Sequence, residues 1–169
     1  MASFEFIALV LTGLSITASL VYYANVLSNA NRTQKMQLET RQAQLFMQLV
    51  NRYRDDTKDL DIDKSLLYVE IPSFEEFMRL YETEECFIKS VQALGGFYES
   101  AGVMVREGYI PIRLVALMWA GMTRRYWEKL EPFFSELREV RGFPRAWAET
   151  EYLYNELIKY TEEHPELAT

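Results

Sequence analysis

Five charged side chains could share one site. Glu99 sits in the stretch GGFYESAGVMVREG, residues 95–108, beside aromatic rings. Arg106, Arg113, Arg124 and Arg125 fall on the same helical hairpin or its continuation. Partly buried charges must pair, because an isolated ion in an apolar interior is expensive. Two readings stay open. One is an internal Glu–Arg network that fixes helix register. The other is a small polar pocket or a partner-facing patch. Arg124, Arg125, Tyr126 and Trp127 also have the groups to stack on a nucleotide base. No Gly-rich turn that would cradle its phosphates accompanies them.

The remaining constellations are thinner. Asp59, Asp61, Asp63 and Glu70 match positions one, three, five and twelve of a calcium-binding loop, but Lys64 stands where the sharp turn needs Gly. An acidic loop leading into a helix is the simpler reading. Glu75, Glu76, Glu82, Glu84 and Glu85 crowd the start of a helix, where acid complements the macrodipole. A carboxylate di-metal bundle would need Glu-x-x-His pairs, and the one histidine is His164 near the C-terminus. Cys86 and His164 could form a nucleophile–base pair. The expectation is instead a packed thiol at Cys86, with Trp119, Trp127 and Trp147 as core anchors. No catalytic residue, metal site or cofactor is therefore expected. With 18 basic and 25 acidic residues, net charge −7, nucleic acid is a poor partner.

The elements that position these residues begin with an apolar run. Residues 6–27, FIALVLTGLSITASLVYYANVL, carry no charge over 22 residues. As a helix they span about 33 Å, against about 30 Å of bilayer hydrocarbon. Tyr22 and Tyr23 sit where amphipathic rings favour the membrane interface. A cleaved signal peptide would need a positive start and a shorter core, whereas the charge before this run is Glu5. No Lys or Arg precedes the run, while Arg32, Lys35 and Arg41 follow it. That asymmetry places the N-terminus outside and the C-terminal domain in the cytoplasm. Ala8, Thr12, Ser15 and Ser19 recur at helical spacing, so that small side chains give one face a possible helix–helix contact.

No Gly or Pro occurs from 14 to 71, so the anchor can continue as one helix. Met36, Ala43, Phe46, Val50 and Tyr53 then trace an amphipathic face. Residues 32–58 carry six basic and three acidic side chains, a positive collar that also attracts anionic lipid. After an acidic loop at 59–72, Ser73 and Glu76 form a capping box. One long helix is expected from there to Gly108. Gly95 and Gly102 on its buried face imply close approach of a neighbour, with the following helix as the candidate. Pro111 opens that helix, and the apolar stretch 114–122 makes it the expected centre of the bundle. Pro132 kinks or restarts it. Gly142 and Pro144 mark a break before a last helix at 146–163. The division is thus an anchor at 1–31, a juxtamembrane helix at 32–58, the loop at 59–72, a bundle of about four helices at 73–163 and a tail at 164–169.

Three pieces carry a family resemblance: ETRQAQLFMQLVNRY at 39–53, the glycine-containing stretch at 95–108, and YWEKLEPF at 126–133 with Arg138 beyond. With the anchor-first layout, the chain resembles a family of bacterial and archaeal single-pass membrane proteins classed as a domain of unknown function. The resemblance implies an anchored, all-helical cytoplasmic domain and no reaction. The expected role is a scaffold or accessory subunit acting through helix–helix contacts, in the bilayer, with a second copy or another membrane protein. The alternative is a ligand-sensing domain with a polar pocket around Glu99 and the four arginines.

Overall fold

The computed structural model describes residues 2–167, and among them it is all helix, with no strand. Helix α1 runs Ala2–Thr57 without interruption. The chain divides into two compact units, Met1–Arg41 and Gln42–Thr169.

The first unit is a single stretch of α1. It contains an 18-residue window of mean hydropathy 1.9, none of which is buried. By length and composition this helix is able to cross a membrane. Its two threonine hydroxyls in the apolar stretch bond back to the preceding turn. Thr12 Oγ1 donates to the Ala8 carbonyl at 2.8 Å, and Thr17 Oγ1 to that of Gly13 at 2.9 Å.

In the second unit, the end of α1 lays an apolar face on the domain. Leu49 is buried, with Phe46, Val50 and Tyr53 packed beside it. Tyr53 meets Phe97 at 4.9 Å and Trp119 at 5.6 Å, and Phe46 meets Trp119 at 5.8 Å. The acidic loop contains a short π-helical turn, Asp63–Leu67. It is clasped by Lys129, whose Nζ donates to the carbonyls of Leu67 (3.0 Å) and Val69 (2.6 Å). Partial burial holds this ammonium below the usual lysine range.

The long helix expected after Ser73 is two helices, α2 at Phe74–Thr83 and α3 at Glu85–Arg106. They break at Glu84, whose backbone is extended. Ser73 caps α2 by accepting from the Glu76 amide at 3.2 Å. The Glu76 carboxylate, however, turns to Arg79, which donates at 2.8 and 2.9 Å. Helix α4, Ile112–Arg141, passes through Pro132 without restarting. Gly142 then takes a left-handed conformation as its C-cap. Helix α5 covers Ala148–Glu163, two residues shorter at its start than expected.

The centre also differs from expectation. Leu117 and Met118, inside the apolar stretch 114–122, are each 51% exposed. The centre is shared between α4 and α3, which touches α2, the π-helical turn, α4 and α5. Its Phe87, Val91, Leu94, Phe97 and Tyr98 are buried. Trp119 and Trp127 are core residues as expected, and Trp147 is half-buried. Cys86 is exposed at the first turn of α3, so the packed thiol is not found. Its neighbour Phe87 takes the inward position instead.

Tyr98 and Tyr126 lie fully inside this aromatic core, and burial pushes both hydroxyls well above the ordinary phenol range. Tyr126 donates to the Val91 carbonyl at 3.0 Å. Both side chains would ionise near pH 10 in the unfolded chain. Above that pH the folded state holds more protons than the unfolded state, so stability falls as pH rises and is undiminished below it. In a spectrophotometric titration, a fraction of the 11 tyrosines should ionise only together with loss of near-ultraviolet circular dichroism. Ionisation of all of them in one step near pH 10, with the fold intact, would contradict this packing.

Candidate functional site

The best-defined polar arrangement lies where α5 begins on α3. Gly95, Glu99, Gly102 and Arg106 follow one another along α3 at four, three and four residues, one face of the helix. Each meets the start of α5. A Cβ at Gly102 would collide with the backbone carbonyl of Glu149. A Cβ at Gly95 would come within 2.9 Å of both the Trp147 indole nitrogen and the Tyr126 hydroxyl. The close neighbour at Gly102 is therefore α5 and not the helix that follows α3, while at Gly95 that following helix does approach, through Tyr126, together with Trp147 at the start of α5.

Helix α5 lacks a local cap. Its N-cap residue, Trp147, has no side-chain oxygen and adopts φ 56°, ψ 22°. A left-handed conformation costs a non-glycine residue about 1–2 kcal/mol. The indole stacks on Phe134 at 4.1 Å between ring centroids, an aromatic contact of roughly 0.5–1.5 kcal/mol that offsets much of this. Glu99 replaces the missing cap. Its Oε1 accepts from the Thr150 amide at 2.7 Å and from Thr150 Oγ1 at 2.9 Å. A carboxylate at a helix N-terminus also complements the macrodipole. Arg106 then pairs with Glu149 at 2.9 Å and lies 4.2 Å over the Tyr152 ring. From α4, Arg138 donates to the Ala146 carbonyl and to Glu151, both at 2.8 Å, bracing the turn from the other side.

The five charged residues expected to converge do not. Glu99 and Arg106 share the α3–α5 contact, yet Glu99 bonds to Thr150 and not to an arginine. Arg124 pairs with Glu128 on its own helix at 2.8 Å, in an exposed pair. Arg113 and Arg125 are exposed and make no ion pair among the described residues. These positions therefore form no common polar pocket. Ala8, Thr12, Ser15 and Ser19 lie exposed along α1. Among the described residues, no group of three or more His, Cys, Asp or Glu side chains is placed to hold a metal ion. Asp61, matched above to one position of a calcium-binding loop, accepts from the Lys64 amide and pairs with its ammonium at 3.0 Å. These contacts lower its carboxyl pKa.

Sequence reasoning missed Thr150, Glu149 and Lys129. One signal for the first two was present. No Ser, Thr, Asp or Asn stands in the run FPRAWA before the last helix, so its amides needed an acceptor from elsewhere.

Fold and site together define an all-helical domain whose N-terminal helix is apolar enough to span a membrane, with α3 and α5 locked together by a carboxylate cap. The chain belongs to the family described as Domain of unknown function (DUF4760), whose model matches residues 3–157. No curated protein and no solved structure gives a significant match.

Replacing Gly102 by Ala should lower stability by about 1–3 kcal/mol, because the obstructing atoms are backbone and not a movable side chain. Gly96→Ala, which meets only the tip of Arg52 at 4.0 Å, should be neutral or gain about 0.5–1 kcal/mol. Urea unfolding of both variants decides it, and equal effects would refute the close approach. In the same assay Glu99→Ala should cost about 1–3 kcal/mol by stranding the Thr150 amide. Glu99→Gln, which keeps the acceptor, should cost less.

Proposed function

We propose that the protein is a single-pass membrane protein whose helical domain acts by contact, as a scaffold or accessory subunit, and not as an enzyme. The observation that carries this reading is the apolar window of α1, with none of its surface covered by the protein itself. Such a surface needs a non-aqueous surrounding. The Lys and Arg residues that follow residue 27 favour a cytoplasmic domain with the N-terminus outside. The exposed small residues Ala8, Thr12, Ser15 and Ser19 offer another helix a close approach. The post-anchor face contributes less than its pattern suggests, because Phe46, Leu49, Val50 and Tyr53 pack inside the domain. Met36 and Met47 on that helix stay about half exposed.

A pocket-centred sensing role around Glu99 has no geometric support, since its carboxylate is engaged by Thr150. The test is extraction followed by mass. The protein should stay with membranes in alkaline carbonate and leave them only in detergent. Light scattering with protein identification should then give either a multiple of 19.9 kDa or a stoichiometric second polypeptide. Release by carbonate would refute the anchor. A strictly monomeric particle with no second chain would refute the contact role.

A further inference from the structure

The interface between α4 and α5 is filled by rings along part of its length and opens beyond them. Trp127 meets Tyr154 at 6.2 Å. Farther on, beyond Arg124, α4 offers the small residues Ala120 and Gly121, facing Leu157, Ile158 and Thr161 of α5. Leu167, in the short 3-10 turn Pro165–Leu167, closes one side. The result is a half-enclosed cleft of about 270 Å³. Thr161 adds no free hydroxyl to its wall, because Oγ1 bonds to the carbonyls of Leu157 (2.9 Å) and Ile158 (3.0 Å). The body of the cleft is therefore apolar.

Its polar groups are Arg124 and Tyr154. Arg124 donates to Glu128 through Nε alone, at 2.8 Å, which leaves the forked Nη edge without a hydrogen bond among the described residues. That edge is still able to grip a carboxylate with two parallel bonds. Tyr154 donates to the same Glu128 at 3.3 Å, holding that carboxylate on the Nε side.

We infer that this cleft binds a single acyl chain ending in a carboxylate, with the chain between Ala120, Gly121 and Leu157 and the head on Arg124. The volume lies just below the range of about 300–1,000 Å³ typical of small-molecule sites, which suits one short chain and not a two-chain lipid. The inference is independent of where the chain resides.

The test is photolabelling of the full-length protein, held in an amphipol, with a diazirine-bearing decanoic acid and the matching decanol. Saturable labelling is expected within residues 120–124 and 157–161, with the acid about tenfold tighter than the alcohol, as for a charge-assisted pair. Arg124→Gln should bring the acid down to the level of the alcohol and leave the alcohol unchanged. Ala120→Leu and Thr161→Leu fill the cleft from opposite walls, and each should abolish both labels at unchanged helicity. On the unaltered chain, decanoate should compete about fifteenfold better than octanoate, at roughly fourfold per buried methylene. Label confined to residues 6–27, no gain with chain length, or equal labelling by acid and alcohol would overturn the assignment.

Discussion

The helical domain depends on how closely α5 comes to α3. At Gly102 the two backbones meet with no side chain between them, and everything near that point follows from it. The approach brings the amide of the fully buried Thr150, in the first turn of α5, against α3. An acceptor must come from the protein, and Glu99, one turn before Gly102, supplies it to Thr150. The same approach brings the Glu149 side chain to 15% exposure, and Arg106, one turn after Gly102, neutralises it. A glycine, a carboxylate and a guanidinium thus act as one device, because helical spacing puts them on one stripe. The left-handed Trp147 belongs to it too. Its conformation turns the chain into α5 while its ring is held flat on Phe134.

What the sequence conveyed, and what it did not, divides by the range of the physics. The helical class, the Ser73 cap and the apolar span rest on residues close together in the chain. The break at Glu84 left no trace, because the run 74–106 contains neither Pro nor an early Gly. Buried Leu80 and Phe87 are seven residues apart, so an interrupted helix and a continuous one show the same apolar phase. Gly95 and Gly102 announced that something approaches, but a missing side chain does not say what fills its space. The charged residues were misread for a related reason. Pairing by sign joined Glu99 to arginines, whereas the unmet demand beside it was the helix-end amide of Thr150. Cys86 went wrong by one position, since Phe87 beside it has far more apolar surface to bury.

Helix α1 shows how one element divides its surface between different surroundings. From residue 42 its apolar side chains alternate with polar ones at helical spacing, and Phe46, Leu49 and Tyr53 find rings of α3 and α4 to pack against. Between 6 and 27 there is no such alternation. Apolar residues lie all round, and none is covered. A helix with one apolar stripe asks for one partner, while a helix apolar on every side asks for a solvent.

On the membrane reading, that difference limits how the protein can engage others. The stripe after residue 42 is already spent on its own domain, so a partner that took it would have to displace Trp119 and Phe97 from a packed aromatic cluster. Contact is cheaper through surfaces the fold leaves open. In the apolar stretch those are small side chains, of which Thr12 is tied to its own backbone. Such a face brings shape and close approach, and the small hydroxyls of Ser15 and Ser19 besides. Recognition within a bilayer would then rest on packing, and any chemical specificity must come from the folded domain outside it.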